Sequence, residues 1–196
     1  MSAHTVIATH GEDATAARGN VLLGVKLGIL SEVMLFGALF AAYFVIRSDS
    51  PGWPPVAGVE RPELLLPGLN TLLLVSSSGT MQLAVRSARV GDRSHILRWL
   101  GLTLLLGGIF IGVQGYEFAT NGFGLDAGVF GSTFYILTGF HGAHVLAGLG
   151  LIAIVANRAR RGFISAGRHT AVEATSYYWH FVDAVWLFLF STLYVL

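Results

Sequence analysis

The chain has 196 residues, of which 54% are hydrophobic and only 12% are charged, and its formal net charge is +1. Soluble domains carry about 25% charged residues, so this shortage of charge indicates an integral membrane protein. The chain contains no cysteine. That excludes disulfides, Cys-ligated zinc, iron–sulfur clusters and the covalent attachment of c-type haem.

The first 20 residues contain no positively charged segment followed by an apolar one, so they are predicted to be a polar tail rather than a secretory signal. A membrane-spanning helix needs about 20 mostly apolar residues. Five stretches meet this requirement, which predicts an all-α bundle of five transmembrane helices in a single domain over residues 21–196. The predicted spans are residues 21–46, 64–85, 96–118, 129–156 and 174–196.

The second predicted span is the most polar of the five, since it contains Pro67, Asn70, Ser76, Ser77 and Ser78. Small and hydroxylated residues are common where one membrane helix packs closely against another. We therefore expect this helix to be enclosed by protein rather than by lipid.

The positive charges are divided unequally between the two sides of the membrane. With five spans, ten of the twelve Lys and Arg residues fall on the side that holds the N-terminus. Because cytoplasmic loops are enriched in Lys and Arg, this predicts a cytoplasmic N-terminus and a C-terminus outside. The loop at residues 47–63 contains four of the five prolines and is predicted to be an extended outer loop.

Ionisable side chains inside predicted spans are few, and each is a functional hypothesis because burying a charge in the bilayer is costly. Glu32 lies deep in the first span, within the sequence LSEVMLF. Two interpretations of Glu32 stay open: a carboxyl that exchanges protons, or a neutral acid that hydrogen-bonds across a helix interface. Glu117 lies at the outer end of the third span. Lys26 and Glu173 lie near the inner surface and are interpreted as interfacial.

Two histidines, His141 and His144, occur in the sequence GFHGAH of the fourth span at i,i+3 spacing. Histidines on one helix face can bind a metal, but a complete site needs further ligands and ordered second-shell partners. Few other candidates are available in the spans. The favoured interpretation is that both histidines hydrogen-bond across a helix interface.

The fifth span contains a similar pair, His180 and Asp183, in the sequence YYWHFVDAVW. With Ser176 one turn earlier, a nucleophile–base arrangement is conceivable. A triad along a single membrane helix, away from an aqueous cleft, is the less favoured interpretation. We expect the pair to act as a polar clamp that holds the fifth helix against polar groups of a neighbouring helix or subunit.

Four sequence phrases together resemble subunit III of the haem-copper terminal oxidases, the cytochrome c oxidase family, in its five-helix bacterial form. The phrases are LSEVMLF (residues 30–36), LPGLNTLLLVSSS (66–78), VFGSTFYILTGFHGAHVLAGL (129–149) and YYWHFVDAVWLFLF (177–190). They occur in the order that the family shows. Longer members have seven helices, and this chain begins at what would be their third. The V-shaped lipid cleft of those members is therefore not expected to be complete here.

The resemblance implies a membrane subunit of a proton-pumping oxygen reductase, in the bacterial cytoplasmic membrane, with no cofactor, metal ligand or catalytic residue of its own. Haem and copper are then expected in the partner subunits. Subunit I would be in direct contact, subunit II and a small subunit IV would be further partners, and phospholipid would be bound. No nucleic acid is expected. The role implied is to stabilise subunit I and to support proton uptake.

The resemblance also implies roles for individual residues. Glu32 falls on the family's buried, carbodiimide-reactive glutamate, and none of His141, His144, His180 and Asp183 falls on a metal ligand.

Two alternatives to this prediction remain. The electron donor is cytochrome c or a quinol, and the sequence YWHFVDAVW and the Trp-Pro-Pro loop favour cytochrome c. A function of a different class is a stand-alone proton-coupled transporter that uses Glu32, His141 and Asp183 as a relay. The odd number of spans and the lack of internal repeats argue against the transporter.

Overall fold

The protein is described by a computed structural model that covers residues 3–50, 53, 64–125 and 127–196, with side chains from residue 16 onward. Five α-helices make up most of it, and the described residues form no β-strand. The prediction of an all-α fold is therefore confirmed. The helices are α1 (Ala3–Ser48), α2 (Leu65–Val90), α3 (Arg93–Thr120), α4 (Gly128–Arg160) and α5 (Thr170–Phe190), and a π-helical turn (Ser191–Val195) extends α5.

Each predicted span overlaps one helix, and the helices are generally longer than the spans. Helix α1 begins at Ala3, within the segment predicted as a polar tail. Most of the predicted loop after α1, residues 51–52 and 54–63, lies outside the described residues. Among the residues that are described, four helices are long and apolar enough to cross a membrane: Ala16–Ser48, Arg93–Thr120, Gly128–Arg160 and Thr170–Val195. Helix α2 is long enough but more polar, as its sequence indicates.

Helices α2 to α5 form a closed ring in which each helix packs against two others. The contacts run from α2 to α3, from α3 to α4, from α4 to α5, and from α5 back to α2. Helix α1 lies beside this ring, against α5 and α4. From residue 16 onward, its buried side chains are Phe36, Phe40 and Tyr43. Their i, i+4, i+7 spacing places them on one stripe of the helix, so α1 attaches along a single line.

The centre of the ring is filled by Trp179 of α5, which is fully buried. Two glycines make room for its indole. A Cβ atom on Gly107 of α3 would lie 2.8 Å from Cη2 of Trp179, and a Cβ atom on Gly148 of α4 would lie 2.9 Å from its Cε3. Both distances are shorter than van der Waals contact. The absence of side chains at these two positions therefore allows three helices to meet around one large residue.

The expectation that α2 is enclosed by protein holds for only one of its sides in this chain. Pro67, Asn70 and Ser77 face the ring and are buried. On the opposite side, Leu65 is 75% exposed and Leu72 is 64% exposed. The reason is geometric: a ring helix contacts two neighbours and its remaining side faces outward. That outward side is available to lipid or to another subunit.

The end of the bundle where α5 begins is held by Glu173, which is only 4% exposed. Its carboxylate lies 2.7 Å from the guanidinium of Arg18 in α1, 3.2 Å from that of Arg89 in α2 and 3.4 Å from Nε2 of His169. The sequence predicts an interfacial position for Glu173. In the fold it joins three segments, because a single buried carboxylate is in contact with the guanidinium groups of two helices and with the imidazole of His169.

Candidate functional site

The first candidate site is a contact between α1 and α4. Nε2 of His144 lies 2.9 Å from Oε2 of Glu32. The other ring nitrogen of His144, Nδ1, lies 2.7 Å from the carbonyl oxygen of Phe140. A carbonyl oxygen only accepts hydrogen bonds, so Nδ1 must carry a hydrogen. The contact with Glu32 then requires one further proton, which resides either on the carboxyl or on Nε2 of His144.

A cleft of about 260 Å³ opens beside this pair, between α1, α4 and α5, with walls that include Ile29, Leu151 and Tyr178. The side chain of Glu32 is 33% exposed and that of His144 is 15% exposed. The Tyr178 hydroxyl donates a hydrogen bond to the backbone carbonyl of His144, at 3.3 Å. Glu32 thus hydrogen-bonds across a helix interface and is also accessible from the cleft, which fits both interpretations made from the sequence.

His141 does not join this site. It is fully buried and turned towards the inside of the ring, where its ring centroid lies 5.0 Å from that of Trp186 and 6.0 Å from that of Phe110. Neither of its ring nitrogens has a hydrogen-bond partner among the described residues. Successive residues of an α-helix are rotated by about 100°, so the side chains of His141 and His144 point in directions about 60° apart. They can therefore face different neighbours. The expected hydrogen bond across an interface is therefore present for His144 and not for His141.

A second candidate site joins α5 to α2. Oγ of Ser78 lies 2.9 Å from Nδ1 of His180 and also hydrogen-bonds to Oδ2 of Asp183. The hydroxyl has one hydrogen, so it donates to one of these neighbours and accepts from the other. In a nucleophile–base triad the histidine lies between the serine and the acid. Here the serine occupies the middle, it comes from α2, and Ser176 takes no part.

The contact between α2 and α5 is extended by two tryptophans. Nε1 of Trp179 donates to Oγ of Ser77, and Nε1 of Trp186 donates to Oγ1 of Thr71, both at 2.9 Å. The sequence predicts that His180 and Asp183 contact polar groups of a neighbouring helix or subunit, but it does not identify α2 or the residues that pair. The spacing of residues could have indicated this pairing. Hydroxyl side chains recur along one face of α2, and Trp179, Asp183 and Trp186 recur along one face of α5.

Two further polar clusters were not predicted as clusters. One is the set of Arg18, Arg89 and His169 around Glu173. The other is at the far end of the ring, where the buried Tyr194 hydroxyl donates to Oε1 of Glu117 at 2.8 Å. Among the described residues, no group of three or more His, Cys, Asp or Glu side chains is placed to hold a metal ion.

Comparison with known proteins decides the family. The family model described as cytochrome c oxidase subunit III matches residues 3–196. The chain belongs to the cytochrome c oxidase subunit III family. The resemblance drawn from the four sequence phrases is thereby confirmed.

Individual relatives agree with the family assignment. A cytochrome c oxidase subunit 3 of Thermostichus vulcanus is 43% identical over 89% of this chain and 87% of its own length. One from Synechocystis is 44% identical over 89% of this chain and 75% of its own length. A probable cytochrome c oxidase subunit 3 of Nocardia farcinica is 41% identical over 89% of this chain and 87% of its own length.

Membership in the subunit III family, together with four apolar spanning helices, makes the chain a multi-pass membrane protein and part of a haem-copper oxidase complex. Such a complex implies partner oxidase subunits.

Proposed function

We propose that this chain is the non-redox subunit III of a proton-pumping oxygen reductase in a bacterial cytoplasmic membrane, with cytochrome c as the electron donor. The names of the similar proteins support cytochrome c over quinol. Haem and copper are then carried by subunits I and II. The division of positive charges supports an arrangement of the single domain, residues 21–196, with the N-terminus in the cytoplasm and the C-terminus outside.

Within this proposal the chain stabilises subunit I, with subunit II and a small subunit IV as further partners, and binds phospholipid. The outward sides of α1 and α2 support this role. Leu27 and Met34 of α1 and Leu65 and Leu72 of α2 are all more than half exposed in the isolated chain. Apolar surface of this kind suits either lipid chains or the apolar helices of another subunit. The clamp formed by His180 and Asp183 on Ser78 then keeps α2 in place against α5.

The role in proton uptake is carried by one observation, the contact between Glu32 and His144. Since Nδ1 of His144 is already a donor, the pair holds one proton between a carboxyl and an imidazole. Moving that proton from one partner to the other changes no net charge in the pair as a whole. The pair is neutral when it holds this one proton, so a proton that arrives through the adjoining cleft after the previous one has left restores neutrality at this depth of the bilayer.

The proposal is tested on the assembled oxidase with Glu32→Gln and Glu32→Ala. Expected outcomes are slower proton uptake and a shorter functional lifetime during turnover, with haem spectra unchanged because the redox centres are elsewhere. Asp49→Asn, at the exposed end of α1, is the matched control and leaves both quantities unchanged. Unaltered activity, pumping and lifetime in both Glu32 variants would leave Glu32 as a packing residue.

The two alternatives are decided by purification from the native membrane. A binuclear copper centre in the co-purifying subunit II supports cytochrome c as donor, and its absence supports quinol. Proton-coupled transport by the isolated chain would support the transporter. The relay that the transporter needs gains no support from the fold, because His141 faces the ring interior and Glu32 bonds to His144 instead.

A further inference from the structure

A polar cluster lies inside the ring, apart from both sites described above. Its first part is a line on α3. Phe110, Gln114 and Glu117 are buried and occur at i, i+4 and i+7, which places them on one inward face of the helix. On this line the backbone carbonyl of Phe110 and the side chains of Gln114 and Glu117 supply polar groups to an otherwise aromatic interior.

Neighbouring segments bring further polar groups to the same line. Nδ2 of Asn70 in α2 donates to the carbonyl oxygen of Phe110 at 3.1 Å, which fixes the Asn70 amide one turn from Gln114. The Tyr194 hydroxyl donates a hydrogen bond to Oε1 of Glu117, one turn from Gln114 on the same face of α3. From α4, the ring of His141 packs edge-on against that of Phe110.

Five polar atoms of this cluster have no partner among the described residues: Oδ1 of Asn70, Oε1 and Nε2 of Gln114, and both ring nitrogens of His141. All three side chains are at least nine-tenths buried, with His141 completely so. More than 90% of buried polar groups in proteins are paired, with protein or with ordered water, because an unpaired one costs free energy. So many unpaired atoms in one small region need a common explanation.

We propose that ordered water binds to the buried side chains of Asn70, Gln114 and His141. The mixture of groups suits water: the two amide oxygens accept, the Gln114 amide nitrogen donates, and an imidazole does one of each. A water molecule donates two hydrogen bonds and accepts two, and buried waters make about three. A cation fits less well, because these three side chains offer two amide oxygens and one imidazole, and Oε1 of the nearby Glu117 carboxylate is bonded to Tyr194.

The site is tested in the assembled oxidase with Gln114→Met, which keeps the length of the side chain and removes its polar atoms. If water is bound, the substitution removes hydrogen bonds and leaves the water under-coordinated. The midpoint temperature of unfolding in detergent should then fall by about 2–4 °C. If the interior is dry, the substitution removes two unpaired buried groups, and the midpoint should stay the same or rise. Gln82→Met, on the exposed side of α2, is the control and should leave the midpoint unchanged.

A structure of the assembled oxidase at a resolution that shows ordered water provides an independent measurement. The expected result is at least one water within hydrogen-bond distance of two of the three side chains. A direct hydrogen bond between Gln114 and His141 with no water density would overturn the proposal, as would a rise or no change in the unfolding midpoint of Gln114→Met. Neither result bears on Glu32, which lies outside the ring, so the two proposals fail independently.

Discussion

Oε2 of Glu32 and Nε2 of His144 lie 2.9 Å apart, although the two residues are 112 positions apart in the chain. The contact is the only polar side-chain link between α1 and α4 in the part of the chain that the structure describes. It joins Glu32, which is unusual as an acid deep in an apolar helix, to His144, which the sequence pairs with His141 at i,i+3 spacing. The proposed role in proton uptake requires both partners, so a coupling experiment can test it.

The first prediction is that substitutions of Glu32 and His144 are not additive. Glu32→Gln and His144→Ala should each shorten the functional lifetime of the assembled oxidase during turnover, and the double variant should be no worse than the poorer single one. Residues in one hydrogen-bonded pair act as a unit, so the second substitution has little left to remove. Turnover traces of the four proteins measure this. Combining Glu32→Gln with the distant Asp49→Asn serves as the control, and fully additive effects in the Glu32–His144 pair would contradict the prediction.

The second prediction concerns Ser78, the residue between His180 and Asp183. Ser78→Ala leaves Asp183 buried without its hydrogen bond, which costs about 1–3 kcal/mol of stability. Ser76→Ala is a close control, because the Ser76 hydroxyl is exposed and bonds only to the carbonyl of Leu72 in its own helix. Thermal unfolding in detergent and the yield of assembled complex measure both variants. An equal loss from Ser76→Ala, or slower proton uptake with undiminished stability in Ser78→Ala, would contradict the clamp.

The third prediction concerns the packing of Trp179. Gly148→Ala places a methyl group 2.9 Å from the indole, which is too close, and overpacking of this kind costs about 1–3 kcal/mol. Gly150→Ala, two residues further along the same helix, meets nothing within 4 Å. It should be neutral or stabilising by up to about 1 kcal/mol, because alanine favours helix more than glycine does. Comparison of the two unfolding midpoints measures the difference, and similar midpoints would show that Trp179 can shift.

The fourth prediction concerns acid stability. Oδ1 of Asp92, the N-cap of α3, accepts a hydrogen bond from the backbone N–H of His95 at 3.1 Å. This bond, with those from the side chains of His95 and Ser94, lowers the pKa of Asp92 from 3.8 to about 2. A pKa lower in the folded than in the unfolded chain means that the ionised cap stabilises the fold. Its contribution is complete above about pH 4 and is lost as the pH falls towards 2.

Asp92→Asn measures this contribution, because an amide keeps the capping oxygen but does not titrate. Between pH 4 and pH 2 the unfolding midpoint of the variant should fall less steeply than that of the unaltered protein. Parallel curves for the two proteins would show that Asp92 is not linked to folding in this range.

Much of the fold could be predicted from the sequence because the bilayer imposes strong local requirements. Backbone polar groups must be satisfied within each spanning segment, so long apolar stretches have to be helices. That requirement located all five helices. It located their ends less well: α1 and α2 continue beyond the predicted spans, because a helix can extend into the polar region where hydropathy no longer marks it.

The residues of the candidate sites could be selected from the sequence, but their partners could not. An acid or histidine in an apolar helix stands out because burying an ionisable group in the bilayer costs free energy. That cost depends only on the local sequence. Whether it faces a neighbour, a cleft or the interior depends on the rotation of its helix in the bundle. His141 and His144 illustrate this, since similar local sequence leaves one inside the ring and the other against α1.

By itself, then, the sequence determined that this is an all-α membrane protein of five helices and that it resembles the oxidase subunit III family. The fold class follows from composition and the resemblance follows from short sequence phrases. Neither requires knowing which residues are close together in space. Only the tertiary structure decided that Ser78 joins His180 to Asp183, that Glu32 contacts His144, and that the buried Gln114 amide has no hydrogen-bond partner among the described residues. These relationships involve residues on different helices, so they depend on how the helices pack against one another, which no single stretch of sequence specifies.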